Sequence, residues 1–221
     1  MRSRSPKDGF WSERRNGQGG AALANEGTNE EFAMPSISDA RIVILATHGF
    51  EKSELFEPLE RLREKGATVH VASPETGAIR SWDKDDWGET VPVDKALTDI
   101  SVEDYDALVL PGGQINPDLL RVEDKAVAFI ADFFRSGKPL AAICHAPWLL
   151  AEAGAAKGHQ LTSYHSIRTD MVNAGADWRD EPVVVDNALV TSRNPGDLDA
   201  FIGKIVEEVE EGRHQPRKLA A

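Results

Sequence analysis

The chain has 221 residues, 41% of them hydrophobic, and its 37 acidic residues outweigh 25 basic ones to give a formal net charge of −12. That length and apolar content suit one α/β domain with a full core, and the charge opposes a nucleic-acid-binding surface. No apolar run approaches the roughly 18 residues that a membrane helix needs.

Residues 1–38 are rich in Gly, Ser, Asn, Arg and Glu without periodicity, which predicts a disordered or loosely docked extension; Phe10 and Trp11 are candidates for docking onto the domain or a partner. Met1 and Met34 are both candidate starts. No stretch of signal-peptide type occurs near Met1, so a cytoplasmic protein is expected. The folded domain is expected over 39–212, with a flexible tail over 213–221.

Arg41 to Ala46 is a continuous apolar run, the mark of a strand buried on both faces of a parallel sheet. Leu55, Phe56, Leu59 and Leu62 recur at helical spacing between Ser53 and Lys65, and Gly66 stops that helix. Thr68 to Ala72 reads as a second strand, and Ala78 to Val93, around the polar WDKDDWG, as a hairpin or flap. Ala107 to Leu110 is a third buried strand, Lys125 to Phe134 an amphipathic helix, Leu140 to Ile143 a fourth strand and Ala146 to Ala153 the helix after it. Val183 to Val185 and Leu189 to Thr191 flank Asp186-Asn187, a hairpin signal, and Pro195 opens a last helix that runs to Glu211. Repeated strand–helix–strand units mean a mostly parallel sheet covered by helices, with a crevice at the carboxyl ends of its strands.

Three segments converge on that edge. Cys144, in AAICHAPWLL, falls where a buried strand gives way to a helix, and small alanines permit a sharp turn of nucleophile-elbow type. A helix N-terminus there predicts a thiol with a depressed pKa. Gly112 and Gly113 follow another strand and can present N–H groups to an oxyanion. The loop Phe50-Glu51-Lys52-Ser53-Glu54 brings carboxylates to the same edge, where they can cap a helix or face the thiol. His145 follows the cysteine, although adjacency alone does not make a Cys–His pair. Cys144 is the only cysteine, so an intramolecular disulfide is excluded. With no H-x-x-x-H or H-E-x-x-H pair, no metal centre is expected.

The stretches FEKSEL, YDALVLPGG, AICHAP, LTSYHSIRTDMVNAGADW and VTSRNPGDL lie in order between Arg41 and Val209. On these the chain resembles the ThiJ/PfpI superfamily, in its PfpI-like branch of intracellular proteases and general stress proteins. The resemblance implies a flavodoxin-like three-layer sandwich, an active site near a dimer interface, and no cofactor. It also implies a nucleophilic Cys144 followed by His145, with Glu54 hydrogen-bonded to the sulfur, Gly113 in the oxyanion hole beside Gly112, and Tyr164 at the pocket. Asp118 matches the carboxylate that a neighbouring subunit contributes to a Cys-His-acid triad, but it is shorter than the usual Glu and its loop is one residue longer. A class I amidotransferase is not expected, because no His-x-Glu follows Cys144. The expected function is a stress-protective cysteine enzyme acting on small reactive carbonyls or on peptide and amide bonds. The alternative is a non-catalytic redox sensor or chaperone-like protein that uses Cys144 oxidation.

Overall fold

Alternation of burial along the apolar runs decides the architecture. Ile42 and Ile44 point to one side of the first strand, and Val43 and Leu45 to the other; all four are fully buried. A strand wet on neither face needs helices on both, and a three-layer α/β sandwich results. The structure, a computed structural model, describes residues 36–219. Nearly all of the expected N-terminal extension, with Phe10 and Trp11, lies outside the described residues.

In chain order the first half comprises β1 (Arg41–Leu45), β2 (Phe50–Glu51), α1 (Lys52–Glu64), β3 (Thr68–Ser73), β4 (Ala78–Asp83), β5 (Asp86–Pro92), β6 (Lys95–Ala96) and β7 (Ala107–Leu110). There follow α2 (Ile115–Leu120), α3 (Asp124–Ser136), β8 (Leu140–Ile143), α4 (Pro147–Glu152), β9 (Gln160–Leu161) and α5 (Arg168–Asn173). The chain closes with β10 (Asp177–Trp178), β11 (Val183–Asp186), β12 (Leu189–Ser192) and α6 (Leu198–Glu211). The main sheet has the order β11-β12-β8-β7-β1-β3-β6, and only the β11–β12 pair is antiparallel.

One face of the sheet packs on α3 and α4 through Ile130, Phe133, Phe134 and Leu149. The other packs on α1 and α6 through Leu55, Leu62, Phe201 and Ile205. β4 and β5 form the expected flap as an antiparallel pair, and β4 is tied to the site loop through β2. The second hairpin turns one residue later than expected: Asn187 and Ala188 take positive φ of 51° and 63°, the conformation of a type I′ turn.

The C-terminal segment corrects the sequence reading. Residues 213–219, expected as part of a flexible tail, run as a strap against α3. Arg217 is buried, and its guanidinium donates to the carbonyls of Phe134, Lys138 and Asn187 at 2.7, 2.7 and 3.0 Å. It also lies over the Phe134 ring. Arginine placed among hydrophilic neighbours reads as solvated from sequence, but three backbone acceptors offset its desolvation here.

Candidate active site

β8, β7 and β1 are adjacent in the sheet, so the segments that leave their carboxyl ends meet. Cys144, directly after β8, has φ +64°. That left-handed conformation costs a non-glycine residue roughly 1–2 kcal/mol and is held by bonds on both sides. Its N–H donates to the Ser192 carbonyl at 3.0 Å, and its carbonyl accepts the Tyr164 N–H at 2.8 Å. The turn closes with Ala146 N–H on the Ile143 carbonyl at 3.0 Å. This is a strained elbow of the kind the small alanines predict.

α4 starts only at Pro147, three residues beyond the sulfur, and has six residues. The helix terminus expected to depress the thiol is therefore displaced from the sulfur. Burial pushes the Cys144 thiol up, and the Glu54 carboxylate adds to this, while the N–H groups of Gly113 and His145 oppose it. Because they favour negative charge on the sulfur, the N–H groups of Gly113 and His145 are the candidate oxyanion donors. Gly112 has a different task, since its N–H donates to Glu54 Oε2 at 2.8 Å.

Both glycines are dictated by crowding. A Cβ on Gly112 would stand 2.7 Å from Cys144 Cβ and from Glu54 Oε2, and one on Gly113, at φ +78°, 2.6 Å from the Gly49 carbonyl. Asn116, which the family resemblance puts at the start of a dimer-interface stretch reaching Arg121, instead fixes this turn from inside. Wholly buried, it donates to the Pro111 carbonyl at 2.8 Å and accepts the Thr47 N–H at 2.7 Å.

Glu54 is fully buried in the first turn of α1. Glu51 caps that helix, its Oε2 accepting the Glu54 N–H at 2.9 Å. Burial first, and the Glu51 charge second, raise the Glu54 carboxyl to about 8 against the pull of the Gly112 N–H. Its other oxygen, Oε1, is buried without a hydrogen-bond partner among the described residues, and the thiol and the carboxyl each influence the other's protonation. Two acids in one dry site cannot both ionise freely, so they lose protons in sequence as a pair.

His145 is also buried, with Nδ1 3.1 Å from Cys144 Sγ and Nε2 3.2 Å from Ser166 Oγ. Burial, helped by His165, lowers it to about 4, so the ring is neutral and able to accept a proton. Tyr164 stacks on it at 4.8 Å between centroids, and Trp148 meets it edge-on at 5.2 Å. A cavity of about 380 Å³ opens over the thiol, with Tyr164 and Gly113 in its wall and Trp82 and Lys84 of the flap at its rim.

Cys144, His145, Glu54, Gly112, Gly113 and Tyr164 are thus brought together. Asp118 is not: it is exposed on α2 and makes no hydrogen bond or ion pair among the described residues. Ser166, inside the SYHSIR stretch, is the partner that sequence reading did not name.

The model of the DJ-1/PfpI family matches residues 40–208. Deglycase PfpI of Pyrococcus furiosus is 44% identical over 167 residues, which cover 76% of this chain and 98% of that protein. General stress protein 18 of Bacillus subtilis is 44% identical over 162 residues, 73% of this chain and 92% of that one. The crystal structure of Drosophila melanogaster DJ-1beta superposes with a TM-score of 0.72 at 30% identity, covering 78% of this chain and 91% of that one.

Proposed function

This chain belongs to the DJ-1/PfpI family, and on that footing we propose that it is a stress-protective enzyme that attacks reactive carbonyls, 2-oxoaldehydes above all, with Cys144. The observation that carries this reading is the buried Glu54 carboxyl, raised to about 8 beside the thiol. A carboxyl with its pKa near working pH both takes and returns a proton, and isomerisation of an oxoaldehyde requires such a group to carry a proton from one carbon to the next.

In the first step Sγ forms a bond to the aldehyde carbon while the S–H proton passes to His145 Nδ1. The carbonyl π pair moves onto oxygen, which faces the N–H groups of Gly113 and His145 and then takes that proton back, leaving a hemithioacetal. With sulfur bonded to carbon, the thiol no longer competes with Glu54 for the charge. Ionised Glu54 removes the proton on C1, the electron pair forms the C1–C2 π bond, and the C2 carbonyl pair moves onto its oxygen, which takes up a proton to give the enediol. The C1 hydroxyl then gives up its own proton and becomes the C1 carbonyl as the C1–C2 π pair takes the proton back from Glu54 at C2. A thioester results, and water cleaves its C–S bond to release a 2-hydroxy acid and the free thiol. Water is the only co-reactant, and no cofactor is needed.

A second reading, peptide or amide hydrolysis, is favoured by the 3.1 Å contact between Sγ and His145 Nδ1. It needs a carboxylate on Nε2, which Asp118 of a second copy would supply in a homodimer. The alternative, a non-catalytic oxidative sensor, is set apart by turnover of methylglyoxal that is lost in Cys144→Ala.

The test is consumption of methylglyoxal with formation of lactate. Cys144→Ala should abolish it, and Glu54→Gln should lower kcat by roughly 100-fold or more. Cleavage of fluorogenic peptides with methylglyoxal left untouched would move the assignment to the hydrolase reading.

A further inference from the structure

Far from the thiol in sequence, the end of α6 carries a cluster that the proposed reaction does not use. Glu208 and Glu211 are three apart and so share one face of the helix. Gly212, at φ +84°, ends the helix and reverses the chain. The strap is then pinned, with Arg213 Nε on the Ser136 carbonyl at 2.7 Å and His214 N–H on the Gly137 carbonyl at 3.0 Å. This brings His214 back over the two glutamates. Its Nε2 lies 3.0 Å from Glu208 Oε2 and 3.6 Å from Glu211 Oε2, and the three ligand atoms all fall within 4.8 Å of one another.

Glu208 is 4% exposed, in a helix that otherwise buries only apolar side chains. Its Oε2 and His214 Nε2 are both buried atoms, and neither has a hydrogen-bond partner among the described residues although they face each other at 3.0 Å. A histidine held there as a simple ion-pair donor would direct its N–H at the carboxylate. Two donor atoms that converge without hydrogen-bond geometry are arranged as ligands of a third body.

We propose that Glu208, Glu211 and His214 form a divalent-cation site, suited to Zn²⁺, that clasps the C-terminal strap to α6. Zinc takes imidazole nitrogen at about 2.0–2.1 Å and carboxylate oxygen at about 2.0–2.2 Å, so tetrahedral ligands sit roughly 3.4 Å apart. The observed 3.0 and 3.6 Å bracket that spacing. One nitrogen and two oxygens leave a fourth position for water on the side of half-exposed Glu211, which is also the route of entry. The hard ions Mg²⁺ and Ca²⁺ prefer all-oxygen shells and fit poorly.

The test uses the full chain with Cys144→Ser, so that the thiol cannot bind zinc, after removal of metal with EDTA. Zn²⁺ in about 100-fold excess over its Kd should raise Tm by about 5 °C or more, and Mg²⁺ should not. A chelator-competition titration should show at least a tenfold weaker Kd in Glu211→Gln and in His214→Gln. Should His214→Gln loosen the strap, exposed Glu211→Gln still decides the matter. Absence of zinc binding, an unchanged Kd in Glu211→Gln, or an equal rise in Tm with Mg²⁺ would each overturn the site.

Discussion

Ser166 Oγ lies 3.2 Å from His145 Nε2, in the place that an orienting carboxylate takes in a Cys-His-acid triad. A hydroxyl can accept from or donate to the ring without charging it, and it leaves His145 at about 4. Ser166→Asp should therefore raise His145 to the ordinary histidine value of about 6.5 or above. Ser166→Ala, which loses one hydrogen bond, should lower turnover only about fivefold. NMR titration of the His145 ring in the Asp variant is the measurement, and a midpoint that stays near 4 would remove Ser166 from control of the imidazole.

Glu54 makes stability depend on pH in a definite direction. Its folded value of about 8 stands above the unfolded value of 4.5, so the folded state holds the proton more tightly. Its contribution is complete below pH 4.5 and is lost as pH rises to about 8, a change on the order of 5 kcal/mol. His145 acts oppositely: lowered from 6.5 to about 4, it costs stability as pH falls through that interval. Comparison with Glu54→Gln isolates the carboxyl. The variant should gain on the native protein from pH 5 upward and melt about 5 °C or more above it at pH 8.5. A Tm difference independent of pH would mean that Glu54 titrates normally.

The thiol itself should label slowly. Burial and Glu54 both push it up, so iodoacetamide labelling is expected to have its midpoint above the free-cysteine value of about 8.5. Glu54→Gln removes the competing charge and should bring that midpoint down. Stopped-flow labelling against pH settles both, and a native midpoint below 7 would restore the activated thiol that sequence reading expected.

The structure opposes that expectation for a local reason. The strand-to-helix pattern around Cys144 is legible, because apolar runs and small residues record backbone shape. The start of α4 is not, and the three residues between Cys144 and Pro147 remove the helix terminus from the sulfur. The mostly parallel sheet and the flap were readable from the apolar runs, and the convergence of the Cys144, Glu54 and Gly113 segments from where the strands end, while the pairing of Glu54 with the sulfur came from the family resemblance. Partners set by side-chain direction were not: Ser166 is 21 residues from His145, and Arg217 reaches carbonyls 30 to 83 positions away. The cluster at Glu208, Glu211 and His214 escaped for a further reason, since its spacing matches no paired-histidine or thiolate pattern and depends on the reversal at Gly212.

Asp118 poses the last question, because it has no partner within the described residues and projects from α2 beside exposed Leu119. If it serves a neighbour's His145, the active unit is a dimer, and the contact surface runs from Asp118 to Arg121. Asn116, wholly buried inside its own subunit, would support that surface from behind rather than form it. Ser166 Oγ already occupies Nε2, so an incoming carboxylate must displace it or share the nitrogen. Asp118→Ala and Cys144→Ala proteins should each be weak or inactive as peptidases. After subunit exchange, about half the dimers would pair the two variants, and each such dimer holds one intact composite site. Activity should reappear on mixing. Proven exchange without recovery would confine Asp118 to its own subunit, full peptidase activity of Asp118→Ala alone would show that Ser166 suffices to orient His145, and absence of peptidase activity from the native protein would leave the Cys144–Glu54 carbonyl chemistry as the function of the site.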